Sequence, residues 1–205
     1  MRYLTPVFIL LLTTSQSPAE RTAQDDAAVY DAVIEHTLRD SFQSYAGASA
    51  RGTRATVYVV GRTVPACDAA NDPNLGCVAR SDVGRALTIG VERIPRAHIP
   101  SPEATVELTA DFRSRNRTSH DLPTLPSEAV AVLTDTQLHE VSQRVRNGER
   151  ANYASFTLPA YSRDGHAVVY VTYVCGNLCG NWWLFLLEKV DSKWHVQERR
   201  LLGIA

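Results

Sequence analysis

From Val168 to Val174 every residue is β-branched or aromatic, and the side chains divide into two alternating sets, Val168, Tyr170, Thr172 and Val174 against Val169, Val171 and Tyr173. Such a run suits a pleated strand far better than a helix, where branching at Cβ is costly. It is followed at once by Cys175, Gly176, Cys179 and Gly180, then by the apolar run Trp182 to Lys189, a polar turn at Asp191-Ser192 and a further run from Trp194 to Leu202. Upstream, Tyr153 to Leu158 reads as a strand before the Arg163-Asp164-Gly165 turn. The final third is therefore predicted to be four antiparallel strands in a meander.

The rest of the chain mixes helix and strand. Tyr30, Ile34, Leu38 and Phe42 recur every four positions, widened by Val29 and Val33, and Asp25 and Asp26 are placed to cap that helix. Its other face, Asp31, Glu35, Arg39 and Asp40, is a solvated surface. A small-residue break from Gly47 to Gly52 precedes an expected strand from Ala55 to Val60, and a second is expected from Ala86 to Ile94. Ser101-Pro102-Glu103 is a helix start, although Val106, Leu108, Ala110 and Phe112 then alternate with a strand period; helix is the preferred reading. The short apolar run Ala129 to Leu133 leads to Thr134 and Gln137, a capping box for a helix carrying Leu138, Val141 and Val145 and ended by Asn147-Gly148.

No internal repeat and no linker rich in Pro, Gly or Ser divides the chain, so residues 20–205 read as a single α+β domain. The expected arrangement packs the N-terminal helix and further helices on one face of an antiparallel sheet, with the other face partly solvated. With 205 residues, 44% of them hydrophobic and 21% charged, there is material for one sizeable core, and disorder is excluded. Twenty-one basic against 22 acidic residues give a net charge of -1, which provides no general attraction to nucleic acid or anionic lipid.

The compartment is signalled at the N-terminus. Arg2, an apolar run from Val7 to Leu12 and the small polar stretch Thr13 to Ala19 have the order of a signal peptide, residues 1–19, with Ser17 and Ala19 at the cleavage positions. The apolar run is far shorter than the roughly 20 residues of a membrane span. Export to the periplasm or the extracellular space is the expectation, and four cysteines agree with it. They admit three connectivities. Cys67 with Cys77 and Cys175 with Cys179 is favoured, because each pair brackets turn formers: Asp68, Asn71, Asp72, Pro73, Asn74 and Gly76 in the first, Gly176 and Asn177 in the second. Gly176 and Gly180 are expected to adopt turn conformations that a side chain would oppose. Neither pair has the two-residue gap of a zinc knuckle, and Cys175/Cys179 is one residue longer than the redox motif C-x-x-C.

The stretch Tyr161 to Val171, then Cys175-Gly176-Asn177-Leu178-Cys179-Gly180, then Leu186-Leu187-Glu188-Lys189 and Lys193-Trp194, resembles a family of uncharacterised exported bacterial proteins. Its members share a C-G-x-L-C-G turn between two strands and a K-x-x-x-K/G-W hairpin after it. Asp111 to Asn116 and Val130 to Leu138 also look like the middle of that family, so the likeness covers about the last half of the chain. It implies export and an α+β fold with a disulfide-pinned hairpin, and it brings no activity. Asp191-Ser192 stands where the family pattern commonly has a Gly turn, and Pro159-Ala160 precedes the Ser162-Arg163 turn.

Signatures of catalysis are few. The chain has no G-x-S-x-G elbow, H-E-x-x-H, P-loop or G-x-G-x-x-G. Its six histidines, His36, His98, His120, His139, His166 and His195, lack metal-type spacing, so no metal and no cofactor is expected. His139-Glu140 with His120-Asp121 is the best acid-base set. Arg113, Arg115 and Arg117 stand two apart: if extended, they point to one face and can hold a carboxylate, sulfate or phosphate; at a helix end they complement its dipole. Asn116-Arg117-Thr118 is an N-glycosylation sequon whose use a bacterial resemblance argues against. Trp183 shares its strand face with Phe185 and Leu187 and is expected in the core against the first helix. Trp182 shares the other face with Leu184 and Leu186, and is expected to be covered by the capped helix and its loops rather than left as a contact surface.

Together these features suggest a non-catalytic extracytoplasmic binding or structural module, monomeric or weakly associating, with an unknown ligand or envelope protein as partner. The alternatives are a small exported hydrolase using His139 or His120, and a thiol-disulfide protein using Cys175 and Cys179.

Overall fold

The computed structural model describes residues 18–38, 56–67, 78–79, 87, 100–126, 130–149, 151–176 and 179–204. Residues 1–17, and with them most of the expected signal peptide, lie outside this set, as do Arg39, Asp40, Phe42, the Gly47 to Gly52 break and nearly all of the expected strand from Ala86 to Ile94. Within that stretch Leu87 is described, and it is helical and buried. The fold is α+β.

The predicted meander is present. Strands β5 (Tyr153–Phe156), β7 (His166–Gly176), β8 (Cys179–Val190) and β9 (Lys193–Ile204) pair antiparallel in that order, and the short β6 (Ala160–Tyr161) continues the β5 side of β7. The sheet extends beyond the antiparallel expectation. β1 (Val57–Val60) and β4 (Val130–Leu133) add two strands parallel to each other, and β1 also runs parallel to β5, giving a seven-stranded mixed sheet. A separate two-stranded piece pairs β2 (Ala66–Cys67) with β3 (Val78–Ala79).

Three described helices accompany the sheet: α1 (Pro18–Val33, continued by a π-helical stretch Ile34–Leu38), α2 (Pro102–Arg115) and α3 (Asp135–Arg146). The start of α1 corrects the sequence reading. Asp25 and Asp26 lie inside the helix rather than at its cap, and both reach other elements instead. On α2, Ser101 caps the helix through the Ala104 N–H and Pro102 fills the first turn. The strand-like alternation there loses to the four-residue spacing of Ala104, Leu108 and Phe112, which are its buried side chains. The capping box of α3 forms as read: Thr134 Oγ1 accepts from Gln137 N, and Gln137 Oε1 accepts from Thr134 N. Asn147 and Gly148, at φ +82°, end it.

The sheet has two covered faces; the second, expected to be partly solvated with cover from the capped helix over Trp182, is packed along its middle. Val29, Tyr30, Val33 and Ile34 of α1 and its continuation pack on Val169, Val171, Tyr173, Trp183, Phe185 and Leu187. Leu108 and Phe112 of α2, with Leu87, pack on the other set, Val168, Tyr170, Leu184 and Leu186. Trp183 enters the first core as expected, stacked on Tyr173 at 5.9 Å and 14°. Trp182 lies half-buried on the second face, which is covered by α2 and not by the capped helix α3. Its ring stacks so closely over Gly203 that a Cβ there would approach within 3.0 Å.

Cys175 and Cys179 are bonded across the end of the β7–β8 hairpin, with Cα atoms 5.0 Å apart. Gly176 takes φ +139°, whereas Gly180 sits in the ladder opposite Val174 and is not strained. Cys67 is also disulfide-bonded, and Cys77 of the expected pair lies outside the described residues. The β8–β9 turn is a two-residue loop in which Asp191 and Ser192 both have positive φ, the geometry that twists a hairpin correctly. Along β9 the pairing to β8 shifts register twice, near Trp182/Trp183 and near Leu186/Leu187.

The two tryptophans should separate on substitution. Trp183→Ala is expected to cost about 3 to 5 kcal/mol of unfolding free energy, as for a large side chain removed from a core. Trp182→Ala, half-buried at the edge of the second core, is expected to cost about 1 to 2 kcal/mol. Denaturant midpoints at constant m-value measure both, and equal losses would reject the assignment of the two faces.

Candidate functional site

Between Phe156 and Ala160 the chain breaks its regular pairing, and side chains satisfy the backbone there. Thr157 N–H donates to Tyr170 O while Tyr170 N–H donates to Thr157 Oγ1. Asn116, the C-cap of α2, then treats Leu158 as a strand partner: its Nδ2 donates to Leu158 O at 3.0 Å and its Oδ1 accepts from Leu158 N at 2.7 Å. Asn116 is completely buried in these contacts, so the sequon it heads is closed to modification in the folded chain.

This break brings α1 and α2, which lie on opposite faces of the sheet, to a common edge. Arg115 from the last turn of α2 grips Asp26 of α1 with Nη1 and Nη2, at 3.0 and 2.8 Å, and Nη1 also donates to the Pro159 carbonyl. Tyr161 donates its hydroxyl to Asp26 Oδ1 at 2.7 Å, and its ring lies 5.1 Å from the guanidinium. The side chains of Arg115 and Asp26 are only 17% and 7% exposed. Burial opposes the charge on Arg115, but its bonds to Asp26 outweigh burial and hold its pKa above the ordinary value. Burial, then the neighbouring Asp26 charge, pushes the Tyr161 phenol far above its usual range, and the same two causes raise Tyr30.

Beside this network lies an open groove of about 790 Å³. Its walls are Thr22 and Ala23 of α1, Ser114 and Arg115 of α2, and the following stretch through Arg117, Thr118, His120, Asp121 and Pro123, with Asp26 and Leu158 also lining it. The stretch is anchored below: His120 N–H donates to Thr63 Oγ1, Thr63 N–H to His120 O, and Ser119 Oγ to Thr63 O. His120 Nε2 lies 3.2 Å from Thr118 Oγ1, and Asp121 faces Arg62 at 3.6 Å.

The sequence candidates divide accordingly. Arg113, Arg115 and Arg117 do not form an extended row, because α2 runs to Arg115; the helix-end alternative holds, with Arg113 and Arg115 in the last turn. Arg115 is engaged by Asp26, and Arg117 lines the groove. His120 and Asp121 line it as well, whereas His139 and Glu140 do not; they are exposed on α3, with His139 Nε2 3.4 Å from Gln143. Among the described residues no cluster of three metal-ligating side chains occurs, and no helix is long and apolar enough to cross a membrane.

One grouping escaped the sequence reading. Ser162, Asp164 and His166 share the β6–β7 turn, with Asp164 Oδ1 accepting from Ser162 Oγ and lying 2.9 Å from His166 Nδ1. The aspartate sits between serine and histidine, so the ring cannot act on the hydroxyl through it as a catalytic triad requires. The network is a turn device. Burial works to raise the Asp164 carboxyl, but bonds from Ser162 and His166 hold it below the usual carboxylate range.

The chain has no match among protein-family models, curated proteins or solved structures.

Two outcomes follow from the buried network. Asp26→Ala leaves Arg115 without its carboxylate and is expected to cost about 3 to 5 kcal/mol, part of it recovered in the double variant with Arg115→Leu. Because folding raises the Tyr161 and Tyr30 pKa values, their contribution is complete below the phenol value of the unfolded chain, about 10, and is lost as pH rises beyond it. Tyr161→Phe should flatten that alkaline decline in an unfolding titration, and an unchanged slope would count against the network.

Proposed function

We propose that this chain acts outside the cytoplasm as a non-catalytic binding module, and that its ligand enters the groove between α1 and the end of α2. The observation that carries the reading is the groove itself, an open concavity of about 790 Å³ in which polar and charged side chains from α1, α2 and the following stretch converge around Ala23, Pro123 and Leu158. Two of its lining residues, Arg115 and Asp26, are held by each other and by Tyr161, so that part of the wall is set before a ligand arrives, which lowers the cost of binding.

Export is supported by the signal-peptide pattern of residues 1–19, and the Cys175–Cys179 bond is compatible with it. The alternatives draw less support. A hydrolase using His139 or His120 would have to use His120, since His139 is exposed on α3 away from the groove, and His120 there meets Thr118 and not a carboxylate that would orient its ring. A thiol-disulfide exchanger could be attacked only at Cys179, which is half-buried, since Cys175 is 7% exposed within the first core, and the pair lacks the C-x-x-C spacing.

Nuclear magnetic resonance titration of the isotope-labelled chain with a panel of small organic fragments tests the reading. Shifts are expected to gather on Ala23, Ser114, Arg117, Thr118 and His120. Ala23→Trp, at an exposed position on the groove wall, should abolish them while leaving the unfolding midpoint unchanged. Shifts that gather elsewhere, or turnover of an ester probe that disappears in His120→Ala, would overturn it.

A further inference from the structure

The charged groups around the groove are not all paired with one another. Each carboxylate at its border already has a cation: Asp26 is held by both terminal nitrogens of Arg115, and Asp121 faces Arg62. Arg117 lines the same groove, is exposed, and has no ion pair or hydrogen bond among the described residues. Arg115, although paired, spends only Nη1 and Nη2 on Asp26 and Pro159. Among the described lining residues Asp26 and Asp121 match Arg115 and Arg117 in number, so what the groove offers an anion is Arg117, the guanidinium without a partner.

A further polar pair stands with it. Thr118 carries a hydroxyl one residue on, and that hydroxyl lies 3.2 Å from His120 Nε2, so the pair has one proton to offer a ligand: from Thr118 when Nε2 donates to its oxygen, or from the ring when Nε2 accepts. The opposite character is supplied by Ala23, Pro123 and Leu158, which line the groove without a polar side-chain atom. A groove that offers an unpartnered cation beside a hydroxyl, together with apolar side chains, selects a molecule that carries an anionic group on an apolar body.

The geometry points to a small organic acid as the ligand: its carboxylate meets Arg117 and Thr118, and its apolar body lies against Ala23, Pro123 and Leu158. This inference rests on the reading of the groove as a binding site. A guanidinium offers two parallel N–H donors to a carboxylate, which a neutral hydroxyl group cannot use equally, so the acid end carries the selectivity. The Arg115–Asp26 pair serves as a positioning device: it holds the end of α2, and hence the start of the Arg117 segment, against α1.

A matched pair of probes tests it by resonance titration of the full chain: hexanoate and hexan-1-ol, with inorganic sulfate as a third. Hexanoate should shift the groove resonances and bind at least about tenfold more tightly than hexan-1-ol, the difference expected of a charge-assisted pair. Arg117→Gln should remove that preference and leave hexan-1-ol unchanged, and Arg117→Lys should restore part of it. Sulfate should bind more weakly than hexanoate. Equal affinity for acid and alcohol, an unaffected preference in Arg117→Gln, or sulfate as tight as hexanoate would overturn the organic-acid assignment while leaving the groove as a binding site. Absence of groove shifts with all three probes, or shifts that persist in Ala23→Trp, would overturn the groove reading and this inference with it.

Discussion

A buried guanidinium–carboxylate pair joins two layers that the sheet otherwise keeps apart. α1 and α2 pack on opposite faces, and each could slide on its own apolar bed, because dispersion and burial have little directionality. Arg115 and Asp26 meet around the sheet edge where β5 gives way to β6, and their two parallel bonds fix both the distance and the angle. Desolvation makes the pair expensive as a source of stability, while its geometry ties the end of α2 to α1. Tyr161 and Pro159 complete the site by taking the remaining bonds, so the charge is distributed over partners that are themselves held by the sheet.

Local signals in the sequence read well wherever the chemistry is local. The alternation from Val168 to Val174, the Thr134/Gln137 capping box, the Ser101-Pro102 start and the close cysteine pair Cys175/Cys179 each depend on residues within a few positions of one another, and each appears in the structure. Where two local signals competed, tertiary burial decided. The alternating Val106, Leu108, Ala110 and Phe112 would suit a strand, but Ala104, Leu108 and Phe112 bury one helical stripe while Val106 remains 69% exposed. The parallel strands β1 and β4 were harder to read, since they are brought together from positions about 70 residues apart by nothing in their own sequence.

The site was legible only in fragments. Arg115 and Arg117 stand out by their spacing, and His120 and Asp121 by their chemistry, yet the partner of Arg115 lies 89 residues away at a position whose local pattern suggests a helix cap. Asn116 drew attention as a sequon, whereas its work is to imitate a neighbouring strand for Leu158. A side chain whose bonds are all long-range leaves no periodic trace, because nothing in the adjacent residues needs to change to accommodate it. The two tryptophans show the opposite case: their assignment to different faces followed from the strand period alone, and only the identity of the covering helix needed the third dimension.

The two register shifts along β9 matter for what happens when many copies share a crowded compartment. β9 is 12 residues long and closes the sheet order on one side, which makes it the kind of edge on which strands of other molecules add and propagate. The shifts divide its regular pairing into Lys193–Val196, Glu198–Leu201 and Gly203–Ile204. Each piece is shorter than the six or seven residues of a steric zipper, and every bulge turns the next piece away from the last. The long hairpin can thus supply a core to both faces without also offering a template for fibre growth.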